Sequence, residues 1–273
     1  MSSNVEEHYT GQGNLADRIA DSLTRAGKDL STLSTADLAS IDEFHVRGRP
    51  ATLEIAEQMD LAENSHVLDI GSGLGGPART LAETYNCSVT GIDLTREFCT
   101  TAQTLSEWVG LGSKTSFVQG DATNLAFEDD SFDAAMTIHV AMNIAAKDQV
   151  YGTAKRVLKD GGIFAIYDIL QGEGGDVLFP VPWARTPEIS HLATPEQMQE
   201  LLTDAGFQII SEKDSTSESQ AWFEALAARM AEHGAPTLSF REFLGDDFAA
   251  MAKNQVRNLS ERRVLTYSFI CRA

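Results

Sequence analysis

Val67-Leu68-Asp69-Ile70-Gly71-Ser72-Gly73-Leu74-Gly75-Gly76 decides the fold. A short apolar strand carries an acid near its end and runs straight into a glycine-rich turn, and a helix-like segment, 78–85, follows. Glycine lets a backbone turn tightly and come close to a ligand. The free N–H groups at a helix start favour an electron-rich group. Glycine clusters also make plain turns, so the order of elements downstream carries the reading.

From residue 66 short apolar strands alternate with amphipathic helices. Strands are expected at 66–70, 88–92, 115–119, 132–140, 163–169, 207–211 and 264–271, with helices near 78–85 and 97–109. Val150, Tyr151, Ala154, Val157 and Leu158 form a helical stripe, expected to stop at Gly161-Gly162. Thr194-Pro195-Glu196-Gln197 supplies an N-cap, a proline at the first helical position and a capping-box partner for a helix reaching Gly206. Such alternation means a mostly parallel sheet with helices on both faces, and ligands bind there at the carboxyl ends of the strands. Upstream, Leu15, Ile19 and Leu23 share a helical face ahead of Gly27. Ser34 with Asp37 forms a capping box before Leu38 and Ile41, and 50–60 reads as a third helix. Residues 1–60 are expected to be an N-terminal helical cap segment. Residues 61–273 are expected to be the ligand-binding domain, with cap insertions at about 170–193 and 222–262.

A chain of 273 residues, 42% hydrophobic and 22% charged, fits one soluble domain with appendages. Its net charge of -19 would repel nucleic acid and an acidic membrane surface. Solubility in a salty cytoplasm accounts for that charge; attraction of a cationic substrate is the alternative. No stretch approaches the roughly 18 apolar residues of a membrane helix, and the polar, acidic residues 1–7 are unlike a signal peptide. Cys87, Cys99 and Cys271 are scattered and lack CxxC spacing, which implies reduced core thiols in the cytoplasm and no metal site.

Asp93 ends the second strand, twenty residues past Gly73. A carboxylate there can accept both hydroxyl hydrogens of a ribose, or is an ordinary strand-end acid. Asp121, in Gly120-Asp121-Ala122, can accept from an adenine amino group or cap a turn.

At this point the chain resembles the class I S-adenosylmethionine (SAM)-dependent methyltransferases. The matching pieces are 67–75, Gly91-Ile92-Asp93-Leu94, Gly120-Asp121-Ala122, Glu128-Asp129-Asp130-Ser131-Phe132-Asp133 and Arg156-Val157-Leu158-Lys159-Asp160-Gly161-Gly162. The resemblance implies a Rossmann-like seven-stranded sheet in the order 3-2-1-4-5-7-6, with strand seven antiparallel. It implies that the Gly71–Gly75 loop passes beside the methionine part of SAM, with Asp69, Gly71, Gly73 and Gly75 as cofactor-binding residues. Asp93 would hold the ribose, Leu94 would flank adenine, and Asp121 with Ala122 would read the adenine edge. A nicotinamide dehydrogenase fits less well, since the loop reads Gly-x-Gly-x-Gly-Gly instead of Gly-x-Gly-x-x-Gly.

In this family the end of strand four faces the sulfonium, which gives His139 two uses: orienting the cofactor or accepting a proton. Met142 and Asn143 either line the substrate pocket or start the next helix. The lead-in Ile41-Asp42-Glu43-Phe44-His45-Val46-Arg47-Gly48-Arg49-Pro50 is similar to the segment lying over the cofactor in related small-molecule enzymes. There Arg49, or Arg47, would clasp the SAM carboxylate with a bidentate fork, and His45 would be a pocket wall or a base. The insertion after strand five brings Phe179 and Trp183 as an aromatic substrate wall, or as the core of the cap; Tyr167 and His191 are candidate proton acceptors.

These residues imply a SAM-dependent methyltransferase of an N, O or C nucleophile on a small molecule, similar to ubiquinone-type C-methyltransferases and glycine, sarcosine or dimethylglycine N-methyltransferases. Within that group a small amine is slightly preferred, ahead of a quinone or aromatic ring. A SAM-binding protein without methyl transfer is the alternative of another class. Partners are expected to be a small-molecule substrate and a second copy in a homodimer, with no nucleic acid and no membrane.

Overall fold

The computed structural model describes residues 14–234, 240 and 244–273. Its sheet consists of β1 (His66–Ile70), β2 (Ser88–Asp93), β3 (Thr115–Gln119), β4 (Phe132–Ile138), β5 (Leu158–Gln171), β6 (Gln208–Asp214) and β7 (Val264–Arg272). The strand order is 3-2-1-4-5-7-6. Strands β3, β2, β1, β4 and β5 run parallel; β7 is antiparallel to both β5 and β6.

Central parallel strands are covered on both faces and so read as unbroken apolar runs. Leu68, Ile70, Ala135, Phe164 and Ile166 meet α6 (Lys147–Val157) and α7 (Pro195–Asp204) on one face. Val67, Val89, Ala134, Met136 and Ala165 meet α3 (Arg49–Ala56) and α4 (Gly76–Tyr85) on the other. The two-residue strand period sorts these side chains between the faces. The capping box at Thr194 and Gln197 opens α7.

The N-terminal helices α1 (Leu15–Arg25) and α2 (Thr35–Asp42) do not form a separate body. Their Leu15, Ile19, Leu38 and Ile41 share a core with Leu74 of the glycine turn and with Phe98 and Leu105 of α5 (Arg96–Trp108). Beyond β6, α8 (Thr216–His233) and α9 (Phe248–Ser260) lead to β7. Leu259 of α9 packs with Val181 and Trp183 of the insertion after β5.

Local differences from the sequence reading have physical causes. The third helix closes at Ala56, short of residue 60. The stripe helix ends at Val157, not at Gly161-Gly162, because Leu158 already pairs with Phe132 across a register shift between β4 and β5. β4 ends at Ile138, because His139 takes φ 54, outside the strand region. The three cysteines are buried and free. Among the described residues no helix is long and apolar enough to cross a membrane.

Candidate functional site

Four parallel strands deliver their carboxyl ends to one cavity of about 430 Å³. Gly71 and Gly73 come from the turn after β1, Asp93 and Leu94 from the end of β2 and the residue after it, Asp121 and Ala122 from the turn after β3, and His139 from the residue that follows β4. The glycines are needed. Gly71 has φ 77, and a Cβ there would stand 2.3 Å from Val140 Cγ2. Gly73 has φ 52, and a Cβ there would meet nothing within 4 Å among the described residues. The turn is thus wedged against β4 at Gly71 and open at Gly73.

Asp93 ties the turn to β2. One carboxylate oxygen accepts the Gly73 N–H at 2.9 Å, and the other accepts the Thr95 N–H at 2.8 Å. Burial raises its pKa against these two bonds. A carboxylate offers about four acceptor positions, and the backbone N–H groups leave part of this capacity for a ligand. Ser72 Oγ and His139 Nε2 are buried and have no hydrogen-bond partner among the described residues. Unpaired buried polar groups are costly, and both residues line the cavity. The cavity's polar rim is therefore incomplete without a polar occupant.

His139 sits in left-handed backbone at φ 54, a conformation that non-glycine residues hold under strain. Its N–H donates to Tyr167 O at 2.7 Å. Its ring lies 5.0 Å from that of Tyr167 and 5.9 Å from that of His45. Burial, and secondarily His45, holds its pKa well below the usual histidine value. Burial takes His45 down to about 4. Both rings are neutral at physiological pH. His45 Nε2 lies 3.0 Å from Gly48 O and 3.2 Å from Thr52 Oγ1.

Behind the turn lies a buried acidic network. Glu43 accepts from the Thr80 and Thr52 hydroxyls at 2.6 and 2.8 Å. Asp42 accepts from Arg79 Nη2 at 2.8 Å, and Arg79 also donates to Ala102 O and Ser106 Oγ at 3.0 Å. Arg79 is fully buried. It clamps the lead-in segment and α5 around the glycine turn.

Several expected site residues lie elsewhere. Arg49 does not line the cavity; its guanidinium donates to Thr35 Oγ1 at 2.7 Å and to Glu83. Asp69 lies behind the turn, where burial, then Glu43 and Asp93, push its pKa to about 8. Gly75 is the N-cap of α4, and a Cβ there would strike Phe117 at 2.5 Å. Trp183 is 1% exposed and packs in the cap core with Met142, beside Phe179. Met142 is held by its backbone, its N–H on Asp168 at 3.0 Å and its carbonyl accepting from His191 N at 2.7 Å. Tyr167 is buried beside His139; burial raises its pKa against Ser219, Arg47 and Thr266, and its hydroxyl has no hydrogen-bond partner among the described residues. Asn143, His191 and His45 do reach the cavity wall. Asn143 Nδ2 donates to Trp183 O at 2.7 Å and Ile189 O at 2.8 Å, fastening the insertion as the opposite wall.

Sequence reasoning missed Ser72, Phe44, Val140, Ile144 and the Glu188-Ile189 pair, all of which line the cavity. Ser72 carried a signal, standing between two turn glycines. Glu188 and Ile189 carried none, because a long insertion has no period to show its inward face.

Residues 68–166 match a family described as a methyltransferase domain. A sterol 24-C-methyltransferase of Aspergillus fumigatus is 30% identical over 190 residues, 67% of this chain and 50% of that protein. The chain spans about half the length of such curated relatives. Among solved structures, phosphoethanolamine N-methyltransferase 2 of Haemonchus contortus, with S-adenosyl-L-methionine bound, superposes with a TM-score of 0.72 at 20% identity, over 93% of this chain and 59% of that one. The 4+2 cyclase SpnF superposes with a TM-score of 0.70 at 24% identity, over 100% of this chain and 96% of that one.

Proposed function

The chain carries a class I S-adenosylmethionine-dependent methyltransferase domain, and we propose that it moves the cofactor's methyl group to a small-molecule nucleophile, a small amine by preference. The observation that carries this is the cavity's incomplete polar rim, with Ser72 Oγ and His139 Nε2 buried and unpaired beside the spare acceptor positions of Asp93.

The residues present fit the cofactor. Asp93 would hold the ribose hydroxyls, Leu94 would flank the adenine, and Asp121 with Ala122 would meet its edge. Gly71, Ser72 and Gly73 would run beside the methionine portion. Bound SAM supplies an electrophilic methyl whose C–S bonding pair leaves on sulfur as the acceptor's lone pair takes the carbon. The protein's part is alignment and exclusion of water. His139, neutral and unpaired at Nε2, can orient an acceptor or take the proton it releases. His45 stands 5.9 Å behind it and adds a second uncharged ring. Phe44, Ile144 and Ile189 add apolar surface to the cavity lining.

A carbon acceptor is the second reading, supported by the sterol 24-C-methyltransferase relative. The cyclase that shares this fold shows that the architecture alone does not require methyl transfer. Incubating the purified protein with methyl-labelled SAM and panels of amines, phenols, quinols and sterols tests the proposal. Tight SAM binding with no label passed to any acceptor class would defeat it.

A further inference from the structure

Resting on that reading, we propose that His45 is a catalytic residue: its Nδ1 lone pair receives the N–H or O–H of the methyl acceptor, while the Gly48 carbonyl holds the imidazole in the Nε2–H tautomer. The tautomer follows from the partners. His45 Nε2 lies 3.0 Å from Gly48 O. A carbonyl oxygen only accepts, so this contact requires the proton on Nε2. Thr52 Oγ1 stands 3.2 Å from the same nitrogen and spends its own hydrogen on Glu43 Oε2 at 2.8 Å, so it turns lone pairs to the ring. Both neighbours leave Nδ1 as the acceptor. The ring stays uncharged at neutral pH, because burial holds its pKa at about 4.

The backbone builds this arrangement. Gly48 is the N-cap of α3, with φ 53 and ψ -149, a region that glycine holds almost alone. Arg47 before it has φ 72. The chain folds back there, so that Gly48 N–H donates to His45 O at 3.1 Å while Gly48 O receives the His45 ring. The rings of His139 and Tyr167 stand edge-on to His45, with centroids 5.9 and 6.3 Å away, and hold its plane. Of His45, Gly48, Thr52 and Glu43, His45 alone belongs to the described cavity lining. The bonded nitrogen is therefore turned toward α3, and the unbonded one is left for an occupant. His139 offers no such preset polarity, since Nε2 has no partner among the described residues to fix its tautomer. The ribose and adenine positions assigned above lie at the ends of β2 and β3, whereas His45 stands beside His139 after β4. A hydrogen-bond acceptor locked in place before binding orients an incoming N–H or O–H at little entropic cost.

The test starts from long-range proton–nitrogen correlation spectra of the full chain at neutral pH, with its histidines labelled and assigned through the backbone. His45 is expected to show a protonated Nε2 and an unprotonated Nδ1; a protonated Nδ1 overturns the proposal. In protein saturated with S-adenosylhomocysteine, the most active acceptor from panels of amines, phenols and quinols is expected to move the Nδ1 signal toward the protonated type. An unmoved signal overturns the proposal without any variant. Transfer from methyl-labelled SAM supplies the second readout. Asparagine sets its carbonyl oxygen near the place of Nδ1, whereas glutamine sets its polar end near that of Nε2. His45→Asn is expected to keep transfer within about threefold, and His45→Gln to lose about tenfold or more, the worth of one hydrogen bond. Calorimetry is expected to show S-adenosylhomocysteine affinity within about threefold in both. Equal losses of transfer in the two folded variants would overturn the proposal, and so would a matching loss of S-adenosylhomocysteine affinity, which would put the contact on the cofactor. If the unaltered protein passes label to no acceptor, the methyl-transfer reading fails and the acceptor contact with it. The tautomer spectrum of the free protein distinguishes that failure from a misread His45.

Discussion

Replacing Asp93 by alanine removes the carboxylate that links the glycine turn to the second strand. Two of its acceptor positions are filled by the N–H groups of Gly73 and Thr95 at 2.9 and 2.8 Å. The remaining acceptor capacity is available to a ribose hydroxyl. A hydrogen bond to a charged group contributes about 1.5–3 kcal/mol. Loss of one such bond weakens S-adenosylhomocysteine binding about ten- to hundredfold; loss of two weakens it further. Gly73 also loses its anchor, so the open part of the turn loosens. Titration calorimetry measures the affinity, and a urea unfolding curve shows that the variant is folded. Arg49→Ala is the matched control. Its guanidinium is held by Thr35 and Glu83 away from the cavity, so affinity should stay within about twofold of the unaltered protein. A folded Asp93→Ala protein whose affinity lies within about threefold of the original would refute the reasoning, because a single lost charged bond already exceeds that factor.

Arg79→Met strands the buried Asp42 carboxylate, and urea unfolding should report a loss of about 3–5 kcal/mol; an unchanged midpoint would show that the clamp is not a stabilising element. His139→Asn keeps a residue that tolerates φ 54 but removes the imidazole. Label transfer should then fall about a hundredfold or more, with cofactor affinity nearly kept; equal losses in both would make His139 a cofactor ligand only. Stability should fall as pH rises from 6.5 to 8. Burial raises Asp69 from 3.8 to about 8 and Asp168 from 3.8 to about 7, so the folded state keeps protons that the unfolded state has released. Each such group contributes up to about 1.4 kcal/mol per pH unit. His45 acts in the opposite sense, but only between its folded value of about 4 and its ordinary 6.5. Asp69→Asn should flatten the thermal-midpoint decline above pH 6.5, and a slope that survives the substitution would count against a protonated Asp69.

Legibility followed the range of the physical signal. β1 and β3 match their expected bounds residue for residue, because strand burial and the following turn are written in adjacent residues. Gly161-Gly162 misled for the opposite reason. The helix ends at Val157 through pairing of Leu158 with Phe132, a partner far away in sequence. Asp93 and Asp121 reached the cavity wall because each stands where a parallel strand ends, and such ends share one edge. Arg49 did not, although its charge suited a carboxylate, because Glu83 on α4 claims it. Trp183 and Met142 were equally ambiguous by composition, and their burial beside Leu259 made them core.

By itself the sequence determined the strand and helix alternation, the bends that glycine alone permits, and the acids that close strands two and three. These depend on periodicity and on backbone angles, which are properties of neighbouring residues. Only the tertiary structure decided which charges face the cavity and which are neutralised behind it. A side chain's partner there is fixed by packing between segments tens of residues apart. Four carboxylates line the cavity while Arg49, Arg79 and Lys147 are spent on protein acceptors, and no local pattern in the chain records that division.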